Sequence, residues 1–493
     1  MPPSERLSRA ALPHLAGDVV RPDHDPAALR TGIVHLGVGA FHRAHLASYT
    51  DALLGRDARW GILGASLRHP DVRDALAPQD FLYALALRDG SAHPPRVIGA
   101  HTGILVAPED PAALVARMAA PEVAIVSLTV TEKGYCRTAS GDLDIAHPDI
   151  AADLAAARSG PAKTPRSVPG FLAAAFAARR KAGIPAFTVL SCDNLPHNGA
   201  ALRRVVSQFA TLTDPDLGAW IAEAAAFPST MVDRIVPATT ASDRAAIALA
   251  LGAEDAWPVV AEPFTQWVLE ACFPLGRPAW EEAGATLVAD VRPWEEMKLR
   301  LLNGSHSAIA YLGQLAGWET VAEAVAEPAL ASMVADLMAE VAPTLSMPAG
   351  IDVAGYERAV LARFANPALK HRTAQIAADG SQKLPQRLLA PARVLLASGR
   401  VPKRIALALA AFIRFCQGRA DDGGALALSD PEAEALRERA SHAGTSVERV
   451  RAVLALPALG AADLVQDEGF VAAIAGALEA LAEGGVRAAL TQA

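Results

Sequence analysis

The run Gly32-Ile33-Val34-His35-Leu36-Gly37-Val38-Gly39-Ala40-Phe41-His42-Arg43-Ala44-His45 most narrows the folds open to this chain. An apolar strand leads into Gly-x-Gly and then into a helix. The first glycine makes a tight turn, and the second lets the backbone approach a pyrophosphate. Gly37 and Gly39 are thus the first candidates for holding a dinucleotide. The pattern is incomplete, because no third glycine follows in the run that opens the helix, Ala40-Phe41-His42-Arg43-Ala44. His42 and His45 read as helix-surface or satisfied core histidines.

More strands follow. Trp60–Ser66 is a second one, with Arg68, His69, Pro70 and Asp71 beyond its end. An acidic residue there binds ribose hydroxyls and selects NAD, whereas a basic one accommodates the phosphate of NADP. Asp71 makes NAD the expected cofactor, and Arg68 and His69 leave NADP open. Phe81–Leu85 and Pro95–Gly99 read as strands of an inserted meander. Ala124–Val130 and Ala186–Cys192 are continuous apolar runs of strand length, as in buried parallel strands. The first ends in Thr131-Glu132-Lys133-Gly134-Tyr135. Ligands of such sheets lie beyond the carboxyl ends of the strands, so Thr131 and Glu132 are expected beside the nicotinamide unless this is an ordinary polar loop. The second ends in Asp193-Asn194, where Asp193 has the character of a helix cap. Met231–Pro237 is another strand, in which Asp233 and Arg234 would also suit a structural ion pair. Trp257–Phe273 reads as edge-strand material.

From about residue 286 helical periodicity takes over, at 308–315, 321–345, 356–364, 404–417, 432–440 and 470–483, with no strand alternation. The expected fold is α/β plus all-α. Residues 1–285 form a Rossmann-like dinucleotide-binding domain with inserted strands, preceded by a partly extended leader. Residues 286–493 form a mostly helical substrate domain.

Within the helical part, Glu295-Glu-Met-Lys298-Leu-Arg-Leu-Leu-Asn303-Gly-Ser-His306 is an unusual string. At about 100° per residue, Glu295, Lys298, Asn303 and His306 share an arc of roughly 140°. Burying such groups is costly unless they pair with each other or with a ligand. A solvated amphipathic face is the alternative reading. The string from Lys298 to His306 resembles the signature of the polyol-specific long-chain dehydrogenases, the mannitol dehydrogenase family. The Gly-x-Gly-x-Phe-His-Arg-Ala-His start is similar as well, and the resemblance runs through essentially the whole chain.

That resemblance implies hydride transfer between a secondary alcohol carbon and a nicotinamide. It makes Lys298 the general base, Asn303 and Asn194 donors to the alkoxide, His306 the orienting imidazole and Glu295 a gate for proton exit. It also places Phe41 and Arg43 beside the cofactor, matches Asp71 to an NAD-selecting aspartate, and assigns Asp233 and Lys383 to the substrate. A lysine serves as base only if desolvation or neighbouring positive charge lowers its pKa. No metal constellation accompanies the set, and no metal is expected.

Substrate class turns on Asn366–Arg387. His371-Arg372-Thr373 and Asp379-Gly-Ser-Gln-Lys383-Leu-Pro-Gln-Arg387 resemble the fructuronate reductase (mannonate oxidoreductase) branch. An arginine fork at Arg372 would match a sugar-acid carboxylate, which a neutral hexitol lacks. Arg372 could instead be a surface residue paired with Asp379 or Glu357. Ser191–Gly199 and Asp255–Val260 lean toward the mannitol 2-dehydrogenase branch. A phosphorylated polyol would need a basic cluster beside Lys383, for which Arg387 is the obvious candidate. A nicotinamide-binding protein without turnover would have little reason to keep the Lys298, Asn303, His306 and Asn194 set.

The net charge of −8 and pI near 5.9 offer no basic field for nucleic acid or anionic membrane. No uncharged apolar run reaches the roughly 18 residues of a membrane span, and no apolar segment suggests a signal peptide. The four cysteines lack ligand spacing and read as reduced thiols of a cytoplasmic protein. The expected partner is a small polyol or sugar acid, with the chain a monomer or weak oligomer.

Overall fold

Short β-branched and apolar runs of the N-terminal half close into sheets in the computed structural model, which describes residues 5–158 and 165–492. Residues 1–4 of the expected leader lie outside them. The strands are β1 (Thr31–Leu36), β2 (Gly61–Ser66), β3 (Tyr83–Leu87), β4 (Arg96–Ile98), β5 (His101–Val106), β6 (Ile125–Leu128), β7 (Thr188–Ser191), β8 (Thr230–Asp233), β9 (Val259–Ala261), β10 (Gln266–Glu270) and β11 (Thr286–Val288). Five of them form one parallel sheet in the order β5-β2-β1-β6-β7. β1, β6 and β7 are buried along their whole length. That is why their sequences are uninterrupted apolar runs. Chain order reverses between β1 and β6, the kind of switch point where open α/β sheets bind ligands.

Two smaller sheets flank it in sequence. β3 pairs antiparallel with β4 and parallel with β9, the inserted strands expected at 81–99. β10 pairs antiparallel with β8 and parallel with β11. Two strands depart from the sequence reading. β5 escaped it because it is an edge strand, with only His101, Ile104 and Val106 buried. β11 is a strand inside the stretch read as helical from 286, and one neighbour in a sheet suffices to form it. The leader is packed rather than loose. Leu7, Leu15 and Val19 join a core with Leu82, Val97, Ile247 and Leu251, and the Arg21 guanidinium donates to the carbonyls of Leu12, Leu15 and Val19.

The chain divides into two compact units, Met1–Val291 and Arg292–Ala493. The second unit is helical. Its centre is Gly304–Ala316, packed on Lys403–Cys416, which packs in turn on Glu468–Gln492. The segment read as one helix over 321–345 is two, Val321–Val325 and Pro328–Val341. Thr320 and Glu323 form a capping box on the first, and Pro328 takes the first position of the second. The helix from Glu468 is longer and more apolar than expected, enough by length and composition to cross a membrane. It is bent at Gly485 (φ 66°), and Phe470, Ile474, Leu478 and Leu481 recur at helical spacing as a buried stripe. A core helix has this pattern.

Candidate functional site

The helix that carries Lys298 is not a regular α-helix. Residues Lys298–Asn303 form a π turn between Arg292–Met297 and Gly304–Ala316, with the Gly304 amide donating to the carbonyl of Leu299. The uniform 100° spacing assumed from sequence therefore fails here, because a π turn closes i to i+5 and widens the helix. The four polar groups are nonetheless all buried: Glu295, Lys298, Asn303 and His306 are each 9% exposed or less. A second π turn, Pro385–Leu389, packs against the first. A Cβ at Gly304 would stand 3.0 Å from the Arg387 carbonyl oxygen, so a glycine permits this approach.

His306 is the centre of the group. Its ring lies 4.6 Å from Phe364 and 5.1 Å, edge-on, from His371. Its Nε2 is buried with no hydrogen-bond partner among the described residues. Burial holds the imidazole well below its ordinary pKa, and His371, Arg363, Arg387 and Lys298 push the same way. His306 is therefore held as a neutral ring. His371 is half-buried, is also shifted down by burial and by Arg363, and is fixed through its carbonyl, which accepts from the Val321 amide.

Arg387 reaches across from its π turn. Its Nη1 donates to the Asn303 carbonyl (3.3 Å) and to Ser307 Oγ (3.1 Å). Lys383 is half-buried, with Nζ donating to the carbonyls of Ala378 (2.7 Å) and Ile376 (3.4 Å). Burial and Arg387 lower its pKa. Arg372 is exposed, with no hydrogen bond or ion pair from its guanidinium among the described residues. The structure thus brings together Lys298, Asn303, His306 and His371, and leaves Arg372 on the surface. Sequence reading missed Arg363. It is 8% exposed and lies on the stripe Tyr356, Val360, Arg363, Phe364 of the helix Val353–Phe364. An arginine on an otherwise apolar stripe was the available signal.

In the N-terminal unit, the Gly-x-Gly turn leaves β1 at the switch point. Gly37 has φ +96°, and a Cβ on it would sit 2.1 Å from the Thr129 carbonyl oxygen, whereas a Cβ on Gly39 would meet nothing within 4 Å. One glycine is required by the turn, and the other leaves its outer face open for a backbone-hugging ligand. His35 supports the turn from inside. Its Nε2 lies 3.1 Å from the Gly37 carbonyl and 3.0 Å from Thr129 Oγ1, and its Nδ1 lies 2.8 Å from Ser127 Oγ. His42 stacks on His35 at 3.5 Å and shares a 3.0 Å hydrogen bond with His101. His42 and His45 are both fully buried.

Phe41 is partly exposed, but Arg43 is 3% exposed and faces inward, donating to the Trp257 carbonyl with its guanidinium over the Tyr83 ring. Asp71 is exposed at the start of the helix that follows β2. Thr131 and Glu132 are exposed beyond β6, and Thr131 holds a strained φ of +63°. Asp193 is the cause: its carboxylate accepts from the amides of Thr131 (2.8 Å) and Val130 (3.2 Å) and from the Tyr135 hydroxyl (3.1 Å). It ties the ends of β6 and β7 together rather than capping a helix. Asn194 beside it is exposed, and Asp233 is buried at the end of β8. Arg234 donates to the carbonyls of Ala44 and Glu262.

Known proteins carry the same two halves. The mannitol dehydrogenase Rossmann domain matches residues 31–282, and the mannitol dehydrogenase C-terminal domain matches residues 290–482. The chain belongs to the mannitol dehydrogenase family. It is 46% identical over 477 residues to the D-mannonate oxidoreductase of Escherichia coli (strain K12), covering 95% of this chain and 97% of that one. The Pseudomonas fluorescens mannitol 2-dehydrogenase, solved as a ternary complex with NAD and D-mannitol, is 40% identical and covers 99% of both chains at a TM-score of 0.84. A substrate-free D-sorbitol dehydrogenase is 34% identical at a TM-score of 0.92, with 98% of this chain covered and 100% of that one. Like the family, this chain is an NAD-dependent oxidoreductase acting on CH–OH donors.

Proposed function

We propose that the chain interconverts a secondary alcohol of a sugar acid and its ketone, D-mannonate and D-fructuronate, with Lys298 as the general base. The observation that carries this reading is the buried π turn. It buries Lys298, Asn303 and His306 together, the last neutral with Nε2 unpartnered, and Arg387 reaches the same turn through the Asn303 carbonyl. An arginine there that meets no carboxylate among the described residues favours an anionic substrate over a neutral hexitol. The 46% identity to a D-mannonate oxidoreductase supports the same choice.

NAD supplies the hydride acceptor. Gly37 and Gly39 would hold its pyrophosphate, Asp71 its ribose, and Phe41, Thr131 and Glu132 its flanks; Arg43 would brace this turn from within. Lys298 removes the hydroxyl proton as the carbon loses hydride, so the alcohol yields ketone, reduced cofactor and one proton. Asn303 donates to the oxygen as it gains charge, with Asn194 as the second donor. His306 Nε2, neutral and protonated on one nitrogen only, orients that oxygen. Glu295, one turn before Lys298, relays the proton outward. Asp233, His371 and Lys383 fix the substrate's other hydroxyls.

The test is NADH oxidation with D-fructuronate and D-fructose side by side, repeated with NADPH. A kcat/KM advantage for fructuronate with NADH is expected. An advantage for fructose would make the chain a mannitol 2-dehydrogenase and end the sugar-acid reading.

A further inference from the structure

The sequence offers Arg372 as the partner of a substrate carboxylate, yet its side chain is exposed. Another arginine has the needed placement. Arg387 belongs to the π turn Pro385–Leu389, which lies against the π turn of Lys298 and Asn303. Its Nη1 is committed to the Asn303 carbonyl and Ser307 Oγ. Those two residues flank His306 in the chain, so the guanidinium stands over the segment that holds the unpartnered Nε2. Nε and Nη2 make no hydrogen bond among the described residues, and the side chain is only half-buried. No carboxylate within the described residues forms an ion pair with it. Asp430, across from the same segment, is engaged by the Ser381 amide (2.8 Å) and hydroxyl (2.5 Å). A planar fork with one edge anchored and the other free is set up for a bidentate carboxylate.

We propose that Arg387 is the specificity-determining residue for the acid end of the substrate, binding its carboxylate through Nε and Nη2 beside His306. This rests on the sugar-acid reading given above. The anchor at Asn303 couples carboxylate binding to the helix turn that carries the base. An acid bound there orients the reacting carbon relative to Lys298, whereas a neutral hexose gains nothing from the free edge.

The experiment compares kcat/KM for D-fructuronate and D-fructose, with NADH, in the wild type, Arg387→Gln, Arg387→Lys and Arg372→Leu. Thermal midpoint and NADH affinity are measured for each. Arg387→Gln should lower the fructuronate-to-fructose ratio of kcat/KM about 30-fold, mostly through KM for fructuronate. Arg387→Lys keeps the charge but not the fork, and should recover only part of the loss. The proposal is overturned by equal losses on both substrates at an unchanged thermal midpoint, by an Arg387→Lys enzyme equal to wild type on fructuronate, or by a selective loss that falls on Arg372→Leu instead. A wild type that prefers fructose rejects the sugar-acid reading itself, an outcome distinct from any of these.

Discussion

Two groups of buried histidines face opposite demands in this chain. In the N-terminal unit, His35, His42 and His101 are stacked and hydrogen-bonded to one another, to Ser127 and Thr129, and to the Gly37 carbonyl. In the C-terminal unit, His306 and His371 meet edge to face, and Arg363, Arg387 and Lys298 push the His306 pKa further down. Burial drives the imidazoles of both groups to the neutral form. Both groups leave ring nitrogens buried without a partner among the described residues, Nδ1 of His42 and His101 in the first and Nε2 of His306 and Nδ1 of His371 in the second, so the difference lies in their neighbours. His35 spends both of its nitrogens on the strand ends that shape a turn. His306 keeps Nε2 free next to a lysine. On the function proposed above, one group is scaffold beneath the Gly37 turn, and the other would meet a substrate oxygen.

The largest test of that contrast is at the base. Lys298→Ala should cost about 10³-fold or more in kcat, since a positioned base contributes roughly 10²–10⁴, while NADH still binds. Retained turnover would remove Lys298 from the mechanism and leave the buried polar group as mere architecture. The histidines themselves come next. His306→Phe keeps a ring against Phe364 but removes Nε2. It should lower kcat/KM about 100-fold with little change in thermal midpoint. His42→Phe strips the His101 nitrogen of its partner, which costs about 1–3 kcal/mol. It should lower the thermal midpoint by several degrees and leave kcat/KM within about twofold. If the two outcomes exchanged places, scaffold and site would have been assigned to the wrong units.

Acid stability sharpens the scaffold side. Burial depresses His35 and His101 to about 3, against about 6.5 for a free imidazole. Between those values the unfolded chain binds more protons than the folded one. Their contribution is therefore complete above pH 6.5 and is lost as pH falls toward 3. The slope is about 1.4 kcal/mol per pH unit for each ring. Urea midpoints at pH 7 and pH 5 should show a shallower acid loss in His35→Asn than in the wild type. An unchanged slope would mean that His35 is already charged in the folded state.

How much of this was legible depends on which physics wrote it. The parallel strands at β1, β2, β6 and β7 were readable because full burial forces continuous apolar runs. β5 was not, since an edge strand need bury only one face. The Gly37 turn was readable because φ +96° with a carbonyl 2.1 Å from its missing Cβ leaves no other residue. Lys298, Asn303 and His306 stood out by grouping, but their angular arithmetic assumed an α-helix, and no residue type in 298–303 announces a π turn. Arg372 and Arg387 look alike in sequence. Only tertiary packing exposes one and sets the other over Asn303. Asp193 read as a cap because its true partners, the amides of Val130 and Thr131, lie about 60 residues away in the chain.

The smallest expected effect asks whether the free nitrogen of His306 depends on backbone fit as strictly as the Gly37 turn does. Gly304 has ordinary helical geometry (φ −62°), and its added Cβ would meet the Arg387 carbonyl at 3.0 Å, a contact relieved by a shift of a few tenths of an ångström. Gly304→Ala should therefore fold and change stability by no more than about 1 kcal/mol, because the helix favours alanine while the contact opposes it. The shift parts the two π turns and lengthens the Arg387 bonds to Asn303 and Ser307. We expect a loss of about three- to tenfold in kcat/KM for fructuronate, since small misplacements of positioning groups reach the chemistry. If Gly304→Ala is kinetically silent, the close packing of the two turns serves stability alone, and the difference between the two histidine groups rests on side chains rather than on backbone.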